Sequence, residues 1–237
     1  MSDVLPLNTY PTDRVLELAF AAYRVNGGYE KQTQRYSEGQ PTRYSNKELV
    51  TYSAYHYNKH NSDFKPWIPA DFVPVKVTDE DLAAKATAEK HMRRYTMLAL
   101  GNLSDFESDI FTAFSSETVT LNRIGLLAYL PAFVERELKD KEYKGRLKNE
   151  FSESTVINLH KIEDETVEIL KSIPLHEYDS YLYFGAVGKD LVCFSKKDLL
   201  EIGDSYELRA RVKGHDRERE TNLPMTRLNY VKLKKVN

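Results

Sequence analysis

The spacing of apolar residues changes near residue 150, and this change restricts the possible fold more than any other feature of the sequence. Before that point apolar residues recur every three or four positions, which is typical of amphipathic helices. After it they alternate with polar residues, as in half-buried strands. We therefore predict an α+β protein, with an N-terminal helical domain over residues 1–150 and a small β-domain over residues 151–237. A chain of 237 residues is long enough for two small domains.

Four helix starts are marked by capping residues that directly precede segments with helical spacing: Thr12, Ser45, Thr78 and Ser104. The last three are followed three positions later by an acidic residue, as in a capping box. The apolar segment that begins at Leu121 predicts either two helices or one helix kinked at Pro131.

Five strands are predicted in the second domain, at about residues 166–173, 179–187, 190–195, 205–213 and 225–233. The segment KKDLLEIGD, between the third and fourth strands, predicts a short helix that ends at Gly203. Five short strands with one helix in that place have the element order of an OB-fold, so we expect a five-stranded OB-like β-barrel. Another small barrel or a sandwich would contain the same elements.

Charge is distributed unevenly along the second domain, although the whole chain has a net charge of only −2. Residues 151–204 carry 5 Lys/Arg against 11 Asp/Glu, a net charge of −6, whereas residues 205–237 carry 9 against 4, a net charge of +5. An anionic partner would therefore be bound locally, by the C-terminal strands.

The predicted hairpin of the last two strands concentrates these cations. In YELRARVK the side chains of Arg209, Arg211 and Lys213 point away from the apolar face and lie about 6.5–7 Å apart. That spacing is close to the phosphate repeat of an extended single strand. Further basic candidates for phosphate contact lie in the loop and the last strand: Arg217, Arg219, Arg227 and Lys232. The aromatic candidates for base stacking are Tyr183, Tyr206 and Tyr230.

A structural explanation of the same residues stays open. Edge strands often carry Lys and Arg because charge prevents pairing with other chains. In that case the cations are a solvated surface, and Glu218 and Glu220 of the loop are expected to pair with Arg217 and Arg219.

The C-terminal pattern resembles the tail of poorly characterised bacteriophage proteins. The matching residues are Gly203, Tyr206, the run Arg211-Val212-Lys213-Gly214-His215 and the run Thr226-Arg227-Leu228. The helical segments LELAFAAYRVNGGY and GLLAYLPAF are similar to the front halves of such proteins. The resemblance implies a phage-encoded protein with a C-terminal OB-like domain that takes part in DNA transactions, and it implies no known chemistry.

Motifs that would indicate catalysis are incomplete. The segment GAVGK at residues 185–189 lacks the spacing of a phosphate-binding loop and no Ser or Thr follows its lysine, so it predicts a hairpin turn. His56 and His60 lie four apart on a predicted helix, but the sequence places no third metal ligand near them. Cys193 lies in an apolar strand without an activating base, so we interpret it as a core thiol.

Clustered carboxylates could indicate a metal-dependent nuclease: Asp79, Glu80, Asp81, Asp105, Glu107 and Asp109. They fall in the first turns of predicted helices, where the helix dipole favours negative charge in any protein. We therefore expect no enzyme activity, no metal and no cofactor.

The sequence predicts a non-catalytic single-stranded DNA-binding protein of phage DNA replication, recombination or transcription. The alternative is a phage protein-interaction module, for host targeting or assembly, that does not bind nucleic acid. Besides single-stranded DNA, phage replication or transcription proteins are the partners that the first function implies. One cysteine fits a reducing cytoplasm, which is the host cytoplasm if the protein is phage-encoded. No stretch of 18 apolar residues predicts a membrane span.

Overall fold

A computed structural model describes residues 9–34, 42–57, 67–70, 72–99 and 103–236, without the side chains of residues 96–99. The chain forms two compact units, Met1–Glu137 and Leu138–Asn237. The division falls inside the fifth helix, so the helical segment 138–150 belongs to the second unit, ahead of the boundary that the sequence predicts at residue 150.

The first unit is helical. In chain order it contains β1 (Thr9–Pro11), α1 (Thr12–Asn26), α2 (Asn46–Tyr57), α3 (Asp79–Ala99), α4 (Asp105–Ser115), β2 (Thr118–Thr120) and the first part of α5 (Leu121–Glu150). The two short strands pair antiparallel. Fully buried side chains such as Leu18, Ile124 and Phe133 form its core.

The helix starts follow the predicted caps with one exception. Ser104 and Glu107 form a complete capping box at α4, and Ser45 accepts a hydrogen bond from the Glu48 amide at α2. The prediction for Thr12 is wrong, because Thr12 is itself the first residue of α1. Its backbone N–H donates to the carbonyl of Glu117, next to the β1–β2 pairing, so no side-chain cap is needed. The helix α5 is continuous through Pro131, which excludes the alternative of two separate helices.

The second unit is a closed five-stranded barrel. Its strands are β3 (Lys161–Leu175), β4 (Ser180–Val187), β5 (Asp190–Lys196), β6 (Ser205–Arg217) and β7 (Pro224–Lys235). They follow one another around the barrel in the order β3-β4-β5-β7-β6, with β6 closing onto β3. Only the β5–β7 pair is parallel among these strands. The α+β class and the OB-like barrel are therefore confirmed.

The predicted helix between the third and fourth barrel strands is wrong, because residues 197–204 form turns and bends. Two backbone N–H groups of this segment bond to the barrel instead of to a helical turn. The Leu200 amide donates to the Tyr183 hydroxyl (3.0 Å), and the Gly203 amide donates to the Ile169 carbonyl (2.7 Å). Leu200 is thereby buried in the barrel core.

Candidate nucleic-acid interface

One outer face of the barrel is covered by the chain that precedes it. Tyr143, Leu147 and Phe151 lie four residues apart, on one side of the end of α5, and all three are buried. They pack against outward-facing residues of the barrel: Leu170, Ala186, Leu191, Cys193 and Met225. We call these eight residues the covered face. OB-folds bind oligonucleotides on their second and third strands, which correspond to β4 and β5 here. That surface is therefore occupied by α5.

Charged side chains tie the same helical segment to the barrel. The Arg146 guanidinium bonds Glu168 of β3 (3.0 Å) and Glu150 (2.9 Å), and these hydrogen bonds raise its pKa. Lys171 of β3 bonds Asp140 (2.6 Å) and lies 5.0 Å from the centre of the Tyr143 ring. The cations at this face thus have carboxylate partners within the fold.

A second outer surface of the barrel, on β6 and β7 with the start of β3, is exposed. Along β6 the side chains of Tyr206, Leu208 and Ala210 are buried, and those between them are exposed. Register places Lys161 of β3 opposite Arg211, and Lys232 of β7 opposite Arg209. We call six exposed residues of this surface the open face: Lys161, Arg209, Arg211, Lys213, Tyr230 and Lys232. Glu207, on the same side of β6, is also exposed and pairs with Lys234 of β7 (3.5 Å).

Most cations of the open face have no carboxylate partner. Arg209 bonds Asp164 at 3.2 Å, but both side chains are highly exposed, so this pair is weak. Within the described ranges, no ion pair involves Lys161, Arg211, Lys213 or Lys232. Four positive charges therefore face solvent without neutralisation.

The loop between β6 and β7 does not contain the glutamate–arginine ion pairs that were expected if the hairpin is only a solvated edge. Glu218 is buried and accepts hydrogen bonds from the Glu220 amide and from Thr221, so it holds the loop backbone. Glu220 pairs with Lys144 of α5. Arg217 donates to the carbonyl of Asn222 (2.8 Å). The expected pairs of these two glutamates with Arg217 and Arg219 are therefore not formed.

Arg227 lies apart from the unpaired cations. Its guanidinium is 3.7 Å from the carboxylate of Asp216, and its strand neighbours are Gly214 and Cys193. Arg219 is exposed in the loop, where the described residues offer it no carboxylate. Both are peripheral to the open face.

Two of the three tyrosine candidates belong to the barrel core. Tyr183 is 0% exposed, and its hydroxyl donates to the Asp198 carbonyl (2.8 Å). Tyr206 is also buried, with its hydroxyl 3.3 Å from Asp204. Neither ring can stack on a base in this structure, so we remove both from the candidate interface.

Tyr230 is the exposed ring of the hairpin, with 74% of its surface accessible. Arg209 pairs with Lys232 and Arg211 with Asn229, so Tyr230 and Val231 together oppose Ala210 in a β-bulge. The bulge lets Val231 point inward while Tyr230 points outward. The guanidinium carbon of Arg211 lies 5.5 Å from the centre of the Tyr230 ring.

The other motifs have structural explanations where they are described. Residues 188 and 189 form the tight turn between β4 and β5, as predicted. Burial raises the pKa of the Cys193 thiol to about 11, as expected of a core thiol. Asp81 is bonded to Arg24 and Thr78. His60 lies outside the described residues, and among those described no group of three His, Cys, Asp or Glu could hold a metal ion. No helix in the described ranges is long and apolar enough to cross a membrane.

Comparison of the chain with protein-family models, with curated proteins and with solved structures finds no match. The resemblance to bacteriophage proteins therefore stays a prediction, and the function is inferred from the geometry of the two faces.

Sequence reasoning missed the covered face and Lys161. The spacing of Tyr143, Leu147 and Phe151 was a usable signal, since three large apolar residues four apart form a stripe in an otherwise charged helix. No comparable signal marks Lys161, because its place beside Arg211 depends on how β3 closes the barrel.

Proposed function

We propose that the protein is a non-catalytic single-stranded DNA-binding protein that holds the strand on the open face of its barrel. The observation that carries this proposal is the set of unpaired cations beside an exposed tyrosine, on a barrel whose usual ligand surface is occupied. Phage DNA replication, recombination or transcription is the setting that the sequence resemblance implies.

The cations would act on phosphates. Arg209, Arg211 and Lys213 project from one strand at intervals of about 6.5–7 Å, so successive phosphates of an extended strand can reach successive side chains. Lys161 and Lys232 add charge on the neighbouring strands. Binding of this kind releases condensed counterions, so it weakens as salt rises and depends little on sequence.

The second candidate function, a protein-interaction module, is favoured by a different surface. Leu199 and Ile202 are exposed in the segment between β5 and β6, on either side of the buried Leu200. Exposed apolar side chains so close together can mark a contact site for another protein. This function would lead if the open face binds no nucleic acid.

Fluorescence anisotropy with labelled single-stranded and duplex oligonucleotides, at two salt concentrations, tests the proposal. We expect tighter binding to the single strand and clear weakening at the higher salt. Absence of binding at low salt would reject nucleic-acid binding and favour the protein-interaction module. Metal-dependent cleavage of the oligonucleotide would contradict the non-catalytic part of the proposal.

A further inference from the structure

We infer that Tyr230 is a stacking platform for an unpaired base, and that it makes the open face selective for single strands over duplexes. This role rests on the proposed function. It adds that the open face recognises an unpaired base of the bound strand.

The backbone at Tyr230 does not explain why a tyrosine is present. Its φ is +52°, in the left-handed region that bulky side chains rarely adopt. The bulge itself has a structural purpose, because it keeps Leu228 and Val231 both inside the barrel. Glycine or asparagine would form the same bulge with less strain.

Packing does not explain the residue either. A ring that is 74% exposed removes little apolar surface from water, so it contributes little to the stability of the barrel. Backbone preference and burial both disfavour tyrosine at this position. A residue kept in an unfavourable conformation, and displayed to solvent, is an indication of function.

The surroundings of the ring suit a nucleotide. The Arg211 guanidinium lies over one face of the ring, and the high exposure leaves the other face accessible. A base stacked on that free face would have its phosphates beside Arg211 and Lys232, which lie close to Tyr230 on the paired strands. Ring and cations could then bind one nucleotide together.

Selectivity follows from what each group can reach. Phosphates are exposed in single strands and duplexes alike, so the cations of the open face act on both. Bases within a duplex are already stacked on their neighbours, so the ring can stack only on a base that is unpaired. Removal of the ring should therefore reduce affinity for single strands and leave affinity for duplexes unchanged.

The test compares Tyr230→Gly and Tyr230→Asn, which both tolerate the left-handed backbone, with Tyr230→Phe, which keeps the ring. Affinities are measured by anisotropy for a single-stranded oligonucleotide and for its duplex. We expect the first two variants to bind the single strand about five- to tenfold more weakly, near the low end of measured base-stacking effects. The phenylalanine variant should stay within about twofold of wild type. The thermal midpoint of Tyr230→Gly should equal or exceed that of wild type.

A spectroscopic measurement and a matched control distinguish base stacking on Tyr230 from the effect of removing any exposed aromatic ring. Fluorescence of 2-aminopurine in the single strand should change on binding to wild type and Tyr230→Phe, and not on binding to Tyr230→Gly. Tyr178→Ala removes a ring that is 69% exposed and lies between β3 and β4, so it should leave affinity and fluorescence as in wild type.

Three results would overturn the role of Tyr230. These are unchanged single-strand affinity in the glycine and asparagine variants, an equal loss for single strand and duplex, or an equal loss in Tyr178→Ala. Wild-type protein that binds neither form of DNA would instead reject the proposed function, and this role with it.

Discussion

The covered face and the open face belong to one barrel but differ in whether their cations have carboxylate partners. On the covered face Arg146 and Lys171 each have a carboxylate partner, and apolar side chains fill the space between α5 and the strands. On the open face Arg211, Lys213 and Lys232 have none among the residues described. The cations that pack against α5 are thus paired within the fold, whereas these three cations of the open face are exposed to solvent without an ion-pair partner in the described ranges.

The two faces also differ in what a ligand would have to displace. A strand of nucleic acid could reach Ala186 of β4 and Leu191 and Cys193 of β5 only if the side chains of α5 that cover them moved away, with loss of their buried area. The open face needs no rearrangement, because its cations and ring are already in solvent. Preformed sites avoid the cost of reorganisation on binding.

The largest expected effect comes from damage to the covered face. Leu147 is 0% exposed, so Leu147→Ala should lower the free energy of unfolding by about 2–5 kcal/mol through lost burial and a residual cavity. Urea denaturation measures this change. The neighbouring Lys148 is exposed, and Lys148→Ala should stay within about 0.5 kcal/mol of wild type. Equal stability of both variants would mean that α5 does not cover the barrel.

The reactivity of Cys193 reports on the same face without a mutation. Burial raises its pKa from 9.0 to about 11, so the thiolate fraction at pH 8 should be about 100-fold lower than that of an ordinary thiol. Because the thiolate is the reactive form, alkylation of the native protein by iodoacetamide should be slower by roughly ten- to 100-fold, and urea should restore a normal rate. Rapid alkylation of the folded protein would show that the face is open to solvent.

A smaller effect is expected from the one ion pair of the open face. Asp164→Asn frees Arg209 and removes a negative charge beside the proposed path of the strand. Exposed pairs are worth about 0.2–1 kcal/mol, so single-strand affinity should rise about 1.5- to fivefold at low salt. As a control, Glu153→Gln breaks a similarly exposed pair with Lys189 and should change nothing. A fall in affinity after Asp164→Asn would contradict the proposed role of Arg209.

The sequence predicted most of the fold, because local signals specify the individual elements. The capping box of Ser104 and Glu107 gave the start of α4, and strict alternation gave the buried and exposed sides of β6. The segment 197–204 was mispredicted because its amide groups bond to Ile169 and Tyr183, which are distant in sequence. Tertiary hydrogen bonds of this kind override local helical preference.

The candidate site was predicted only in part. Alternation correctly gave Arg209, Arg211 and Lys213 as exposed side chains, since a strand with one buried face repeats every two residues. It did not reveal that Tyr183 is enclosed by the barrel, nor that a bulge exposes Tyr230, because both depend on how the strands pair. The only sign of the bulge in the sequence is that Leu228 and Val231, which both face inward, lie three positions apart, whereas a regular strand would place them an even number apart.

The most direct test of the open face removes its charge and leaves its apolar side intact. The triple variant Arg209→Gln, Arg211→Gln and Lys213→Gln should fold as wild type, because Tyr206, Leu208 and Ala210 remain buried. A control triple variant replaces exposed lysines elsewhere in the second unit, Lys148, Lys189 and Lys197, with Gln.

The measurement is the slope of log affinity for single-stranded DNA against log salt concentration. The account predicts that the slope falls by about 0.7 for each lost contact, about two units in all, in the open-face variant and not in the control. A folded open-face variant with wild-type affinity and slope, or an equal loss in the control, would contradict the claim that this face binds the strand.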